Sequence, residues 1–596
     1  MDRFLENENF IKNAREMIQI LALIIIYSII AFYNLGNRES PQQVWTGNTA
    51  VIIDFDDVTD ISRFQFMTGA RGGPFILYFS EDGNDWPFEI HVDGGSVFAW
   101  DDGYIGTQAK YVQILPLVPN LRIQELAFRD GHGRLLHPTR LAAHGEWIYF
   151  TEGPLPDQQY QINPWTLFDE QNLVPERSGF MNSTYFDEIY HARTGYEFLH
   201  GLQVFETTHP PMGKNFIAMG ISIFGMTPFG WRIAGTLAGI MMIPLMYIFG
   251  RMMFSHIWGM FTAFIFAFDF MLFAQTRIAT IDSYVTLFII ASYLCMYAYV
   301  KNVSGNHSIS DSTPDPLPYS LLSSLLVPFL FLAGSGLFIG LAIASKWQGI
   351  YALIGLPFIF FPAWYSQFKK ERKEAIITFG CCFIFFILLP GIVYVLSYIP
   401  FVRAMQSVTP DTGFFSIVFA NQQHMFSYHS ELLEGHPFSS RWWEWPLLIR
   451  PIFYYVNTVS YSVRQGISSF GNPAVWWMGI FATFYAFRTL INKKQAEYHN
   501  TIFFLLIAYG AQYVPWMFVY RATFIYHYFP SVPFVVLLIA FFFKTAVEPK
   551  YPKLIWCYAA LVLGLFVLFH PVLSAAPVSV DFVRTFLRWL PAWILV

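Results

Sequence analysis

The chain has 596 residues, of which 55% are hydrophobic, 19% aromatic and 13% charged, and its formal net charge is −5. This composition excludes an ordinary soluble domain and is typical of a polytopic membrane protein. The four cysteines all fall in apolar segments, which indicates small core residues rather than a disulfide framework or a metal cluster.

The first apolar segment comprises residues 17–35 and is flanked by Arg3, Lys12 and Arg15. No small-residue cleavage site follows it convincingly. We therefore predict a retained signal-anchor helix within an N-terminal segment of residues 1–43.

Residues 44–150 differ in character from the rest of the chain. Short, partly alternating apolar runs, such as PFILYF and KYVQILPLV, are separated by Gly, Asp and Asn turns. This pattern predicts an all-β sandwich inserted on the extracytoplasmic side. The pieces YFSEDGNDW, KYVQI and LRIQELAFRDGHG resemble the discoidin or galactose-binding jelly roll. A carbohydrate-binding role and a purely structural insert both remain open.

Residues 151–228 are predicted to form a catalytic first outer loop. It contains YFDEIYHARTGYEFLHGLQVFETTHPPMGK at 185–214, in which Asp187 and Glu188 are followed by a His209-Pro-Pro turn and Lys214. A carboxylate beside a membrane suggests proton abstraction at the lipid surface. The alternatives are a solvated acidic pair and a divalent-cation site, although no second acidic cluster with ligand-like spacing lies nearby in sequence.

The remaining residues, 229–596, are predicted to form a transmembrane helical core with an outer loop at 400–472. Apolar segments long enough to span a bilayer lie near 17–35, 229–250, 256–276, 281–300, 319–341, 347–365, 375–399, 473–491, 501–519, 526–545 and 553–573, which gives eleven spans. The segment 446–463 is weaker, and we interpret it as an outward-facing re-entrant or amphipathic helix. With a cytoplasmic N-terminus, the short lysine-rich loops, including 369–373 and Lys493, lie inside the cell.

The motifs, in order, resemble those of a known enzyme family. TYFDEIYHARTGYEFL, THPPMGK, GWRIAGTLAGIMMIPLMYIFGRMMF, AQTRIATIDSYVTLF, GLFIGLAIASKWQGIYAL and YRATFIYHYFPSVPF are similar to segments of the protein O-mannosyltransferases, which belong to glycosyltransferase family 39. The resemblance covers about residues 170–545 and the first helix, and it is nearer to the bacterial branch. It implies the α-helical GT-C membrane fold, here with an inserted β-sandwich as a departure from the common pattern.

The resemblance also implies the chemistry of the site. Transfer from a polyprenyl-phosphate sugar needs a base for the acceptor hydroxyl and cations for the departing phosphate, whereas a glycosidase needs two opposed carboxyl groups. Asp187 is the expected base, and Glu188 is expected to orient the acceptor or to tune Asp187. The expected phosphate-binding cations lie near the outer ends of predicted spans: Arg277, Lys346, Lys214, Arg232 and Arg521.

Other polar and aromatic residues have structural or substrate-contacting interpretations. His209 is expected to be a satisfied histidine in a stiff turn, and Asp282 to pair with Arg277. Trp443 and Trp445 are expected to stack on a sugar or to lie in the membrane interface. Zinc binding by the histidines of the outer loop, among them His429, is the alternative for that region.

The sequence therefore predicts a membrane glycosyltransferase that moves a sugar, mannose by the family resemblance, from polyprenyl phosphate to a Ser or Thr hydroxyl of an extracytoplasmic protein. Its partners are the lipid-linked donor, a protein or glycan acceptor and membrane lipids; we expect no nucleic acid and no certain cofactor. A glycolipid or cell-wall polymer is the alternative acceptor. A lipid or sugar transporter and a carbohydrate-binding sensor are the alternatives of other classes.

Overall fold

The computed structural model describes residues 2–143, 146–149, 163–303, 321–431, 435–492 and 495–596. The chain forms two compact units. The sheet unit comprises Asn34–His200 and Ala218–Arg232, and the helical unit comprises the rest. Lys493, which contributed to the predicted charge bias, lies outside the described residues.

The sheet unit contains ten strands that follow the first helix. They are β1 Trp45–Gly47, β2 Val51–Met67, β3 Phe75–Ser80, β4 Phe88–Val92, β5 Trp100–Pro116, β6 Leu121–Ile123, β7 Glu125–Arg129, β8 Leu135–Leu136, β9 Arg140–Ala143 and β10 Glu146–Tyr149. All the pairings between these strands are antiparallel. The predicted sheet-containing insert is confirmed, whereas a ligand for it stays a prediction.

The long strand β2 organises this sheet. It pairs with β5 along its length, with β9 near its start and with β7 near its end. Its register shifts between Asp54 and Thr59, where the strand bends. The apolar core formed around it also contains Trp165, Leu167 and Phe168, beyond residue 150. Alternation could not mark this stretch because Pro164–Leu167 is a short 3₁₀ turn.

Eighteen α-helices complete the described chain. They are α1 Asp2–Phe32, α2 Glu188–His200, α3 Met212–Phe224, α4 Pro228–Met253, α5 His256–Ala267, α6 Phe270–Thr276, α7 Asp282–Val303, α8 Leu321–Ser345, α9 Gly349–Lys370, α10 Arg372–Phe383, α11 Leu389–Ser397, α12 Ile399–Gln406, α13 Phe414–Glu431, α14 Pro473–Ile491, α15 His499–Tyr513, α16 Val532–Phe542, α17 Lys553–Ser574 and α18 Val580–Phe582.

Ten described helical segments are long and apolar enough to cross a membrane, and α5 with α6 forms an eleventh that is bent by 58°. These segments coincide with the predicted spans. The bend occurs at Asp269, whose carboxylate accepts the backbone N–H of Met271 at 3.0 Å and so begins α6 as a new helix. The fold is therefore that of a polytopic helical membrane protein.

The weak segment at 446–463 is a correction to the sequence analysis. It forms no helix that could span or line a membrane. It contains β11, Ile452–Thr458, which pairs antiparallel with β12, Val463–Ser469, and β12 in turn pairs with β13, Val578–Ser579. The aromatic and β-branched residues of IFYYVNT favour a strand. The prediction of a helix relied on the apolar character of the segment and neglected this preference.

Acidic residues in the sheet unit make its stability depend on pH. The carboxylate of Glu125 is buried, and its oxygen lies within 4.8 Å of carboxylate oxygens of Asp169 and Glu170. Burial and these like charges raise the pKa of Glu125 well above its ordinary value. The folded protein therefore holds a proton that the unfolded chain releases. The resulting stabilisation is present below the ordinary glutamate pKa and is lost as the pH rises through the raised value.

We expect the apparent Tm of the detergent-purified protein to fall as the pH rises above the ordinary glutamate pKa and through the raised pKa of Glu125, and Glu125→Gln to flatten this decline by about 2–4 °C. Glutamine keeps an oxygen for the Gln171 side chain, which donates to Glu125 at 2.6 Å. Thermal unfolding at a series of pH values checks this. Identical slopes for the wild-type protein and the variant would contradict it.

Candidate functional site

The acidic pair lies where α2 begins, in the sheet unit. Phe186, just before it, has φ of +48°, a left-handed conformation that is uncommon for a bulky residue and costs about 1–3 kcal/mol. After this turn Asp187 is half-buried and Glu188 fully buried. The local backbone thus places two adjacent carboxylates in different environments.

Glu188 forms a bidentate ion pair with Arg232, in the first turns of α4. The Nε and Nη2 groups of Arg232 each donate to one Glu188 oxygen at 2.7 Å. The other N–H groups donate to the backbone oxygens of Leu35, Phe180 and Ser183 at 2.6–3.0 Å. All five donors of this buried guanidinium therefore have partners within the protein.

This arrangement gives Glu188 and Arg232 a shared structural task. A buried, hydrogen-bonded pair of this kind holds the surrounding backbone segments in one geometry, here the first turn of α2 and the segment before it. Asp187 is the less buried member of the acidic pair.

In the helical unit, Lys214 fixes the His209-Pro-Pro turn. Its fully buried ammonium donates to the Glu206 carboxylate, to the Glu206 backbone oxygen at 3.2 Å and to the His209 oxygen at 2.9 Å. Glu206 also accepts from the Thr208 backbone N–H at 2.8 Å and interacts with His209 Nδ1 at 3.1 Å. The three protons of Lys214 are thus directed into this turn.

Lys346, between α8 and α9, also has an internal partner. Its Nζ lies 2.7 Å from Asp282 Oδ1 at the start of α7, and both side chains are buried. The same ammonium lies 5.3 Å from the centre of the Tyr526 ring. Asp282 therefore pairs with Lys346. Arg277, its expected partner, donates to the backbone oxygens of Ala31 and Tyr33 at 3.0 and 2.7 Å.

Lys346 faces a cavity of about 440 Å³ within the helical unit. Its lining includes His209, His429 and Arg521. The expected residues that meet at this cavity are therefore His209, Lys346 and Arg521, whereas Lys214 and Arg277 are not part of its lining.

Both histidines of the cavity have pKa values below the ordinary histidine value. His429 donates its Nε2–H to the Thr208 backbone oxygen at 2.9 Å, because a carbonyl only accepts. Burial, with His209 and Arg521 nearby, lowers the pKa of His429 to about 3. Burial also lowers the pKa of His209, although Glu206 opposes the shift. The positive charge of the cavity therefore comes from Lys346 and Arg521.

Arg521 differs from the other expected cations. It lies in the segment between α15 and α16, and burial lowers its pKa. Within the described ranges no hydrogen bond or ion pair satisfies its guanidinium. A partly buried cation without a counter-charge is costly, so this side chain favours an anionic ligand in the cavity.

The two tryptophans of the outer loop have different environments. Trp445 is fully buried, donates its Nε1–H to Ser440 Oγ at 3.1 Å and packs with its ring centre 5.6 Å from that of Trp516. Trp443 is 43% exposed. Of the two, only Trp443 offers a ring face to another molecule.

Three further residues were not assigned to this site by the sequence analysis. Gln348 and His429 line the cavity, and Glu206 holds the turn that carries His209. Glu206 lies inside the quoted motif, and its spacing of eight residues from Lys214 was the available signal. The metal alternatives gain no support from the part of the chain that the structure describes. There, the group of three metal-capable side chains is Glu125, Asp169 and Glu170, which contains neither Asp187 nor His429.

The fold is of the GT-C type, which is found in membrane glycosyltransferases. In yeast, the protein O-mannosyltransferase Pmt1-Pmt2 complex bound to the sugar donor has a similar fold, with a TM-score of 0.59 at 13% identity over 69% of this chain and 89% of that one. Residues 208–308 match a family described as dolichyl-phosphate-mannose-protein mannosyltransferase. Residues 414–593 match the C-terminal four-transmembrane region of protein O-mannosyltransferase.

Curated bacterial relatives agree with these matches. A polyprenol-phosphate-mannose–protein mannosyltransferase of Mycolicibacterium smegmatis is 24% identical over 68% of this chain and 87% of its own length. One of Corynebacterium glutamicum is 25% identical over 72% and 88%. These matches confirm the predicted resemblance to the protein O-mannosyltransferase family.

Replacing Arg232 tests whether this residue stabilises the fold through Glu188 or binds the donor phosphate. We expect Arg232→Ala to lower the free energy of unfolding by about 3–5 kcal/mol, because it leaves the Glu188 carboxylate buried without a partner. The Tm of the purified protein and its affinity for polyprenyl phosphate are the measurements. A variant with normal Tm but weakened lipid-phosphate binding would return Arg232 to the phosphate site.

Proposed function

We propose that this protein transfers mannose from polyprenyl-phosphate mannose to a serine or threonine hydroxyl of an exported polypeptide, with the reaction on the extracytoplasmic side of the membrane. The matches to the family and the names of the bacterial relatives support the donor, the sugar and the protein acceptor.

The observation that carries the proposal is the cavity that holds Arg521. This guanidinium has no partner among the described residues, and the Lys346 ammonium lines the same cavity. A phosphate monoanion supplies oxygens for both, and its charge grows as the sugar–oxygen bond breaks. Cations that are already fixed around the phosphate stabilise the transition state, because they do not have to reorient as the negative charge grows.

The family resemblance assigns the base, and the local structure supports Asp187 over Glu188. A base must reach the acceptor hydroxyl, and the Glu188 oxygens are both bonded to Arg232. Asp187 is half-buried at the start of α2. In the proposed step Asp187 takes the hydroxyl proton, the hydroxyl oxygen bonds to the anomeric carbon, and polyprenyl phosphate leaves with the electron pair.

Other expected cations contribute indirectly. Arg232 and Lys214 are positioning residues, because each is buried and directs its protons to protein acceptors. His209 lines the cavity, and its Nδ1 interacts with Glu206 at 3.1 Å, which fixes the orientation of the ring.

The separate roles predict opposite kinetic signatures. We expect Asp187→Asn to lower kcat by about 10²–10⁴-fold with little change in donor KM, since asparagine keeps the size but not the base. Arg521→Gln is expected to raise donor KM and the Kd for polyprenyl phosphate by about tenfold or more, through loss of a charge-assisted contact.

Transfer of mannose to a threonine peptide, followed by mass spectrometry, supplies both parameters. Arg403→Gln, which changes an exposed arginine of α12, is the matched control and should behave as wild type. Near-normal kcat in a folded Asp187→Asn protein at saturating donor would remove Asp187 from the mechanism and favour Glu188.

The proposed sidedness has its own test. Single cysteines at Asp187 and at Lys369, placed in a protein whose four native cysteines are replaced, should react with an impermeant thiol reagent from opposite sides of the membrane, because the lysine bias places 369–373 inside. We expect only the cysteine at 187 to be labelled in intact cells. Labelling of the cysteine at 369 but not of the one at 187 in intact cells would reject an extracytoplasmic active site.

A further inference from the structure

A second cavity, of about 400 Å³, adjoins the first within the helical unit. It is lined by Arg441, Arg450, Arg521, Glu444, Ser439 and Thr523, among others. It shares Tyr520 and Arg521 with the first cavity. A molecule that occupies both cavities therefore contacts Arg521, which lines each of them.

Hydrogen bonds connect two of the segments that line this second cavity. The Ser440 N–H donates to the Thr523 oxygen at 2.8 Å, and Thr523 Oγ1 donates back to the Ser440 oxygen at 2.7 Å. The buried Trp445 adds its Nε1–H to Ser440. The segment that carries Arg521 is thus tied to the segment that carries Arg441.

The cavity has an excess of positive charge. Arg450 uses Nη1 to hold the backbone oxygens of Pro437 and Ser439, at 3.3 and 3.2 Å, which directs its guanidinium. Glu444 accepts the backbone N–H of Arg441 at 2.5 Å. Along the described chain, no carboxylate oxygen lies within 4.0 Å of a guanidinium nitrogen of Arg441, Arg450 or Arg521.

We infer that this second cavity binds a carboxylate side chain of the acceptor polypeptide, close in sequence to the hydroxyl residue that receives the sugar. Guanidinium groups match a carboxylate in two parallel hydrogen bonds. The inference rests on the proposed function and deepens it, because it names a charge preference for the acceptor.

Chain geometry supports an acceptor in this place. The two cavities share Tyr520 and Arg521, and consecutive residues of an extended peptide advance by only about 3.5 Å. Side chains within a few positions of the hydroxyl residue therefore have the reach to enter the second cavity. The walls include Ser439, Ser440 and Thr523, whose hydroxyls suit a polar peptide rather than acyl chains. An anionic lipid headgroup is the other source of the same chemistry, and the test separates the two.

The experiment uses the full chain in nanodiscs with polyprenyl-phosphate mannose and a set of threonine peptides. Each peptide carries Asp, Asn or Lys at one position within three residues of the threonine. We expect the best Asp peptide to exceed its Asn counterpart by about tenfold in kcat/KM, chiefly through KM, and the Lys peptide to be the poorest.

Two variants and a control assign the preference to the cavity. Arg441→Gln should remove most of the difference between Asp and Asn peptides, and Arg441→Glu should invert the order in favour of Lys, both with unchanged donor KM. Arg403→Gln should keep the wild-type order. The preference between peptides is first measured on the wild-type protein, so the inference can be tested even if a variant folds poorly.

Equal kcat/KM for the three peptide types in the wild-type protein would overturn the inference while leaving mannosyl transfer intact. So would a rate that rises with anionic lipid in the nanodisc and ignores peptide charge, since that assigns the cavity to a headgroup. Absence of transfer to every peptide would overturn the proposed function, and this inference with it.

Discussion

Burying a cation costs several kcal/mol unless nearby oxygens replace its water, and this constraint divides the basic side chains near the site into two kinds. Arg232 and Lys214 are buried, and their N–H groups are directed to protein oxygens. Lys346 has Asp282 on one side and the cavity on the other. Arg521 has no such partner in the described chain. Arg232 and Lys214, which have protein partners, fix the backbone around them. Arg521, together with Lys346 at the cavity, is the proposed binding site for an anionic ligand.

The same constraint explains why one short motif carries both structure and chemistry. In the stretch 185–214, Glu188 and Glu206 are committed to Arg232 and Lys214. These pairs hold the turn before α2 and the His209-Pro-Pro turn. Asp187 lies next to a fixed carboxylate, so its own position is set although it remains half-buried. A fixed position is one requirement of the base that is proposed at Asp187.

The membrane core could be predicted from the sequence because spanning requires about 20 apolar residues, a signal that is local. The partners of the charges could not. Glu188 and Arg232 are 44 residues apart, and Lys346 and Asp282 are 64 apart, so each appears in the sequence as a single charge. Arg277, Arg232 and Arg521 were therefore all predicted to bind the donor phosphate, although Arg277 and Arg232 donate to backbone oxygens. The β11–β12 hairpin was missed although its signal is local, because the prediction weighed hydropathy more than the strand propensity of these residues.

The central claim is that the phosphate of the lipid-linked donor binds at Arg521 in the cavity with Lys346. The most direct measurement is an experimental structure of the full chain with polyprenyl phosphate bound. The account predicts a phosphate oxygen at hydrogen-bond distance, about 2.8 Å, from the Arg521 guanidinium, with Lys346 facing the same group. A phosphate bound to Arg277 or Arg232 instead, with Arg521 left without an anion, would contradict it.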